Sequence, residues 1–357
     1  MKLFHYMQNY KTEYKNYSNS VAIMISTDRL IFMEKSQVRT RMTEYAKLYK
    51  ELHIIVFSTK RIDPIVVSAG FKIYSTNSIF RLNYVKDACR IGKSILSGIS
   101  KNIPLLVTCQ DPFETALAGK YIANLRKDSE LLIQIHTDLF SPYFVDNRIG
   151  FKNALLNRIR LFISQFTLIH AQVIRVVSRK IADSLVQKGL PSERIILKPI
   201  DINTDYVLNS NPKFDLKKKY PQFSKIIIVV SRLEYEKNVK MAVEAMQYIT
   251  KEIPSAGMVI VGSGSEMSNL KKQAYGLKIG GAVVFEGWQT DIAPYYKGAD
   301  LLLLTSWYEG YGMVLKEAQT AGMKVVSTNV GVAQEIGASI ADWDAKDIAD
   351  KVVKLLK

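Results

Sequence analysis

Four consecutive leucines, Leu301 to Leu304, limit what this chain can become more than any other feature. A run with no polar break suits a strand buried on both faces, as in parallel sheets covered by helices on either side. The run ends at Thr305-Ser306, passes Glu309, Gly310 and Gly312, and enters an apolar helical pattern that carries Glu317 and stops at Gly322. A strand end, a glycine loop and a helix start bring unpaired N–H groups and the positive end of a helix dipole together. The stretch is therefore expected to hold a phosphate-bearing ligand, with Gly310 and Gly312 allowing it close to the backbone.

Strand and helix patterns alternate through the rest of the chain. Strands are expected at 21–26, 53–58, 71–74, 104–109, 131–136, 174–178 and 195–200, with helices at 38–50, 81–96, 115–125, 149–172 and 179–188. Residues 201–224 break the pattern with Asn, Pro and a Lys run, and read as a linker. Alternation restarts with strands at 225–231, 258–262, 282–287, 300–306 and 324–328. The helices that accompany them fall at 239–250, 266–275, 290–297, 313–321, 333–336 and 344–356. Residues 1–20 lack periodicity and read as a tail or edge addition. A length of 357 residues favours two domains. The expected architecture is α/β: an N-terminal domain at 1–200, a linker at 201–224 and a C-terminal domain at 225–357, with ligands at the strand C-termini facing a cleft between the domains.

Charge separates the halves. Residues 1–198 hold 30 Lys and Arg against 15 Asp and Glu, which leaves 19 against 18 for residues 199–357. An excess confined to the first half suggests an anionic partner there, whether a membrane surface, an acidic acceptor or nucleic acid; a merely soluble basic face is the plainer reading. No apolar run reaches the roughly 18 residues of a membrane span, and the Tyr-rich N-terminus is unlike a signal peptide. A cytoplasmic protein is expected, peripheral at the inner face of the membrane if the basic half docks there. Cys89 and Cys109 lack metal-ligand spacing and read as buried, reduced thiols. In the helix at 149–172, Phe151, Leu155, Ile159, Phe162, Ile163 and Phe166 lie close to one face, with Lys152, Arg158 and Arg160 elsewhere. Core packing is the first reading of that face and membrane docking the second.

Three clusters carry chemistry. Glu309 and Glu317 flank the glycine loop just described. Arg232 and Lys237 follow the strand that opens the second domain, where they can reach the same cleft and neutralise a diphosphate. Gly262-Ser263-Gly264-Ser265-Glu266 is a glycine turn from strand to helix. The first βα turn, Thr27-Asp28-Arg29, has no glycine, so the dinucleotide fingerprint is absent and an NAD-dependent dehydrogenase is disfavoured.

The segments SRLEYEKN (231–238), VGSGSE (261–266), FEGWQTDIAPYYKGADLLLLTSWYEGYGMVLKEAQTAG (285–322) and VVSTNVGVAQEI (325–336) together resemble the retaining nucleotide-sugar glycosyltransferases of family four. The resemblance is strong over about 225–356 and looser in the first half, where it rests on the alternation and on HTDLFSPYF at 136–144. It implies a GT-B fold, with two Rossmann-like domains facing each other across a cleft. The implied activity is hexosyl transfer from a nucleotide-diphosphate sugar to a hydroxyl of a glycan or lipid-linked acceptor, in surface polysaccharide or glycolipid assembly.

The resemblance also implies residue roles. Arg232 and Lys237 would hold the donor diphosphate, and Glu309 would contact the sugar. Amides of Gly310, Tyr311, Gly312 and Met313 would hold sugar and phosphate, and Glu317 would accept from ribose hydroxyls. Gly262 and Gly264 would admit base and ribose, while His136 would lie near the reacting carbon. No metal or other cofactor is implied, because the Arg–Lys pair replaces a cation. Asp28, Arg29, Asp111, Asp138 and Ser141 are further candidates, for the acceptor pocket or for helix caps.

The chain departs from the family pattern in three places. STDRLIF (26–32) replaces the first glycine loop, and VGVAQE (330–335) stands where a double glycine is common. The chain stops at Lys357, before the segment with which members usually cross back onto the first domain; a short or truncated form with weaker interdomain coupling is expected. Two rival readings are a nucleotide-sugar epimerase and a non-enzymatic basic module. Nucleic acid is not expected as a partner, since no aromatic-interleaved basic motif is present.

Overall fold

The computed structural model of the chain describes residues 10–11, 15–146, 151–201, 204–209 and 211–357. Most of the expected tail and the start of the 149–172 helix lie outside the described residues. The chain forms two compact units. One comprises residues up to Phe140 with Leu155–Val177 and Ile181–Lys198; the other comprises Ser141–Ala154, Ser178–Lys180 and Pro199–Lys357.

The N-terminal unit is built on strands β1 (Val21–Ser26), β2 (Glu51–Val56), β3 (Ile65–Ser68), β4 (Phe71–Ser75), β5 (Leu105–Cys109), β6 (Ser129–Ile135), β7 (Val173–Val176) and β8 (Ile195–Leu197). Their order is β3-β4-β2-β1-β5-β6-β7-β8, parallel except for the β3–β4 pair. VAIMIS is buried at all six positions because it lies inside the sheet with helices to cover it. Strand β3 escapes sequence reading, since Ile65-Val66-Val67-Ser68 is a half-covered edge strand without a long apolar run. The helices are α1 (Gln37–Ala46), α2 (Tyr84–Ser97), α3 (Glu114–Asn124), α4 (Phe151–Leu168) and α5 (Arg179–Gln187). The core-packing reading of α4 is overturned. Leu155, Ile159, Phe162 and Phe166 are exposed, while Ser164, Thr167 and Leu168 are buried. The inward side is mixed: Ala154 and Leu168 are buried beside Ser164 and Thr167, whose hydroxyls donate to the Leu161 carbonyl at 2.7 Å and the Pro112 carbonyl at 2.7 Å. Cys109 is free and buried as expected; Cys89 is free but only half-buried, and that partial burial pushes its thiol up to about 11.

The C-terminal unit has strands β9 (Lys225–Val230), β10 (Ala256–Val261), β11 (Val283–Gly287), β12 (Leu301–Leu304), β13 (Lys324–Thr328) and β14 (Ser339–Ala341). Every pairing is parallel, in the order β11-β10-β9-β12-β13-β14. Chain order turns back between β9 and β12, so the connections leaving their C-terminal ends diverge there, which is where doubly wound sheets bind ligands. The helices are α6 (Asp205–Asn209), α7 (Leu216–Lys219), α8 (Val239–Glu252), α9 (Met267–Gly276), α10 (Ala293–Gly298), α11 (Met313–Thr320) and α12 (Ala345–Leu356). Residues 333–336, expected as a helix, form turns, because Gly331 and Gly337 adopt positive φ on either side. The described part of 201–224 folds into this unit. Leu216 is fully buried beside Gly298, Lys217 Nζ pairs with Asp300 at 2.8 Å, and Lys219 and Tyr220 both engage Glu286. Among the described residues no helix is long and apolar enough to cross a membrane.

Candidate active site

The turn after β9 and the end of β12 are stapled together by polar contacts. Residues Tyr235–Lys237 make a 3-10 turn that Asn238 closes in the left-handed region, φ 48°. Asn238 tolerates that conformation better than most residues, and its Nδ2 donates to the Thr305 carbonyl at 3.1 Å. Thr305 Oγ1 donates back to the Asn238 carbonyl at 2.9 Å, and the Trp307 amide donates to the Glu236 carbonyl at 2.9 Å. The Ser306 carbonyl accepts from Thr328 Oγ1 at 2.8 Å and from Trp343 Nε1 at 3.0 Å.

This frame sets Lys237 Nζ 2.7 Å from Glu309 Oε1, and Ser306 Oγ donates to the same oxygen at 2.8 Å. The two charged side chains are only 16% and 12% exposed. Arg232 pairs with Glu236 at 2.8 Å but is 70% exposed. Exposed pairs of this kind contribute little, so Arg232 can turn to an incoming anion at small cost. The Lys237–Glu309 pair is a fixed dipole; the Arg232–Glu236 pair is a movable one.

The glycine turns serve backbone packing. Gly262 sits at φ 139°, and a Cβ there would overlap the Ser231 carbonyl oxygen; one on Gly264 would overlap that of Leu233. Their absence lets Leu233 N donate to the Ser263 carbonyl and Glu266 N to the Leu233 carbonyl, both at 2.9 Å. Ser265 donates to Glu234 from its amide at 3.2 Å and its hydroxyl at 2.7 Å, holding that carboxyl below its usual range. Gly331 plays the same part for the loop before α11, where a Cβ would meet the Tyr311 carbonyl and the Val332 amide donates to it at 2.9 Å. Gly312, at φ 79°, caps α11 without a side chain, Tyr311 is buried beside it and Met313 is exposed.

Glu317, one turn into α11, is 5% exposed. Tyr296 OH donates to its Oε2 at 2.6 Å, and the Tyr206 phenol bonds the same carboxylate. Burial, and then the carboxylate, hold both phenols above their usual range, so they stay protonated donors.

His136 follows β6 in the N-terminal unit. It is exposed along one side, but protein packed around the rest of the ring, then the charges of Arg175 and Arg41, push its pKa down to about 4. Gln134 Oε1 accepts from Arg175 Nη1 at 2.9 Å and lies 3.3 Å from His136 Nε2. Nε2 therefore carries the proton and Nδ1 the lone pair. The sign follows from the direction: the fold favours the neutral ring, so its contribution is present above the ordinary value of 6.5 and lost as pH falls towards about 4. A proton NMR titration of His136 should show no inflection between pH 6 and 8; a midpoint near the ordinary 6.5 would contradict this environment.

Three of the remaining candidates, Asp28, Arg29 and Asp111, have structural duties. Asp28 caps the 3-10 turn Arg29–Phe32, and Arg29 donates to the Phe57 carbonyl at 3.0 Å and to Tyr84 OH at 2.9 Å. Asp111 accepts from Phe113 N at 2.9 Å just before α3, while Asp138 is buried and Ser141 precedes the 3-10 turn Pro142–Val145 without a side-chain cap.

Within the C-terminal unit, then, the structure brings Lys237 and Glu309 together, puts Arg232 on the same connecting turn, and puts Glu317 on the helix after the glycine loop. Sequence reasoning did not select Asn238, Thr305, Ser306 or Tyr296 as site residues. Thr305-Ser306, directly after the leucine run, was a usable signal; Tyr296 offered none. Among the described residues no group of three or more His, Cys, Asp or Glu is placed to hold a metal ion.

Comparison with known proteins bears on the same residues. The family model described as "Glycosyl transferases group 1" matches residues 212–357, which include Arg232, Lys237, Glu309 and Glu317. The chain is 29% identical over 279 residues, 69% of its length and 70% of the relative's, to N-acetyl-alpha-D-glucosaminyl L-malate synthase of Bacillus anthracis. It is 32% identical over 105 residues, 29% of its length, to the alpha-monoglucosyldiacylglycerol synthase of Streptococcus pneumoniae, of which that match spans only 24%. In fold it is similar to sucrose-phosphate synthase from Thermosynechococcus elongatus, with TM-score 0.69 and 18% identity, covering 94% of this chain and 90% of that one. It is likewise similar to Anabaena HepE in complex with UDP, with TM-score 0.66 and 15% identity, covering 94% and 89%. Residues 212–357 match the group 1 glycosyl transferases, and the chain is a glycosyltransferase of GT-B fold.

Proposed function

We propose that this enzyme moves a sugar from a nucleotide-diphosphate donor to a hydroxyl of a glycan or lipid-linked acceptor, with retention at the anomeric carbon, in surface polysaccharide or glycolipid assembly. The observation that carries the reading is the Lys237–Glu309 pair at the switch point of the second sheet, 2.7 Å apart and shielded from solvent. A diphosphate arriving there meets Lys237 and the movable Arg232, which stabilise the charge that grows on the leaving phosphate. Glu309, already oriented by Ser306, takes a sugar hydroxyl. Amides of Gly310, Tyr311, Gly312 and Met313 at the start of α11 face the same ligand. Glu317 serves the ribose end, its carboxylate held by Tyr296.

On the retaining route the departing phosphate oxygen takes the proton of the incoming hydroxyl, which attacks on the same face. No side-chain nucleophile is needed, and the protein supplies position and charge. His136, as a neutral imidazole, orients the donor sugar or the acceptor. The two cations make a metal ion unnecessary, so turnover should persist in EDTA. Apolar side chains exposed after β1 and β4, Leu30, Met33, Ile79, Phe80 and Leu82, favour a lipid-linked acceptor over a free glycan.

The test is a thermal-shift panel of nucleoside diphosphates and nucleotide sugars, led by UDP, which HepE holds. Stabilisation by one base family, lost in Arg232→Ala, is expected. No shift with any nucleotide would sink the donor site. Incubation with donor alone separates transfer from epimerisation, which would yield a new sugar without acceptor.

A further inference from the structure

Of the six described large apolar side chains exposed on α4 and the residue that follows it, five fall on one line, and only Leu156, 40% exposed, stands apart. At about 100° per residue, Leu155, Ile159, Phe162, Phe166 and Ile169 occupy an arc of about 80°, and they are 46%, 50%, 73%, 44% and 60% exposed. Five large apolar side chains in a row on the outside of a helix are not the scattered exposure of an ordinary surface. The helix sequence contains no Asp or Glu, and Lys152 and Arg158 flank the line on either side. Arg160 turns inward instead, towards Glu114 at 3.3 Å.

The neighbouring ground has the same character. Tyr121 and Leu125 of α3 and its C-terminal turn are exposed. Lys120 Nζ lies 4.1 Å from the centre of the Phe166 ring. Beside it is a depression of about 280 Å³ lined by Lys120, Asn124, Arg126, Lys127 and His170, among others.

We propose that α4 is an interfacial anchor, which lays its apolar line into the outer part of a bilayer while the Lys120–Lys127 depression takes the headgroup of an anionic phospholipid. The occupant is argued from charge. A helix free of carboxylates, set in a half with 30 basic against 15 acidic residues, matches a negatively charged lipid surface. It would not match a zwitterionic one, nor a second copy of an equally basic face, whose cations would repel. The arrangement also suits a helix lying in the membrane plane: one side apolar, the flanks basic, and the inward side fastened to the protein by Thr167 and the Pro112 carbonyl. The inference does not depend on the donor or acceptor, because it concerns binding to lipid without turnover.

The test is flotation of the full chain with vesicles of phosphatidylcholine alone and with added phosphatidylglycerol, at low and high salt. Binding to the phosphatidylglycerol vesicles, weakened by salt and slight on phosphatidylcholine, is expected. The double variant Ile159→Ser with Phe162→Ser should lose about tenfold or more in partitioning, with an unchanged melting temperature. Lys120→Glu with Lys127→Glu should abolish the preference for phosphatidylglycerol. Absence of flotation, equal flotation of the serine variant, or a wild-type dimer that the serine variant turns into a monomer would each overturn the anchor.

Discussion

Replacing Lys237 with alanine should lower kcat by about 10²–10³-fold while leaving the enzyme folded. The ammonium is the shielded positive charge that the frame of Asn238, Thr305 and Ser306 holds at a set distance from Glu309. A charge fixed before the reaction needs no reorganisation when the leaving phosphate becomes more negative, so one such group is expected to account for much of the rate. Its removal also leaves Glu309 short of a partner, at a stability cost of about 1–3 kcal/mol. The two effects separate in the double variant Lys237→Ala with Glu309→Gln, whose neutral amide no longer needs a cation. Its melting temperature should recover while its rate stays low. A single variant within tenfold of wild-type turnover would mean that Lys237 serves the fold alone.

The largest stability effect is expected at Gly262. Alanine there must hold φ near 139°, and its Cβ would overlap the Ser231 carbonyl, which is backbone and cannot rotate away. The surrounding ladder is tight: Ser231 N donates to the Val261 carbonyl at 3.1 Å, and Gly262 N to the Gly287 carbonyl at 2.7 Å. Conformational strain and displaced backbone together should cost about 3 kcal/mol or more, read as a lower denaturation midpoint at unchanged m-value. Gly276→Ala is the control, since a Cβ there meets nothing within 4 Å. It should be neutral or slightly stabilising. Equal midpoints for the two variants would refute the packing argument for Gly262.

Strands buried on both faces were legible because their code is local. VAIMIS, PLLVTC and the leucine run each announce a parallel strand, and the helices between them follow by periodicity. Two of the four described edge strands, β8 and β11, were legible as well, but β3 and β14, only four and three residues long, were not, and owe their form to a neighbour. The outward line of α4 was visible as a stripe, yet its direction was not, because a hydrophobic face says that burial is favoured and not what does the burying. At the candidate site, Arg232, Lys237, Glu309 and Glu317 stood out as candidates by their motifs. The tyrosine that holds Glu317 lies 21 residues away on another helix, a contact only the packed domain creates. The glycines of the 262–264 turn carry a similar lesson. Sequence suggested room for a ligand, whereas the packing shows room taken up by the Ser231 and Leu233 backbone.

The staple between Asn238 and Thr305 ties together positions 67 residues apart in the chain. A ribosome releasing this protein would therefore expose the turn bearing Lys237 well before the strand that delivers Glu309. Until Leu301–Leu304 slot in beside β9, the lysine has no counter-charge and the left-handed Asn238 has nothing to hold it in place. Catalytic competence in this half should thus arrive abruptly and late in synthesis, and fragments ending before residue 309 would carry half of the machinery and none of the activity.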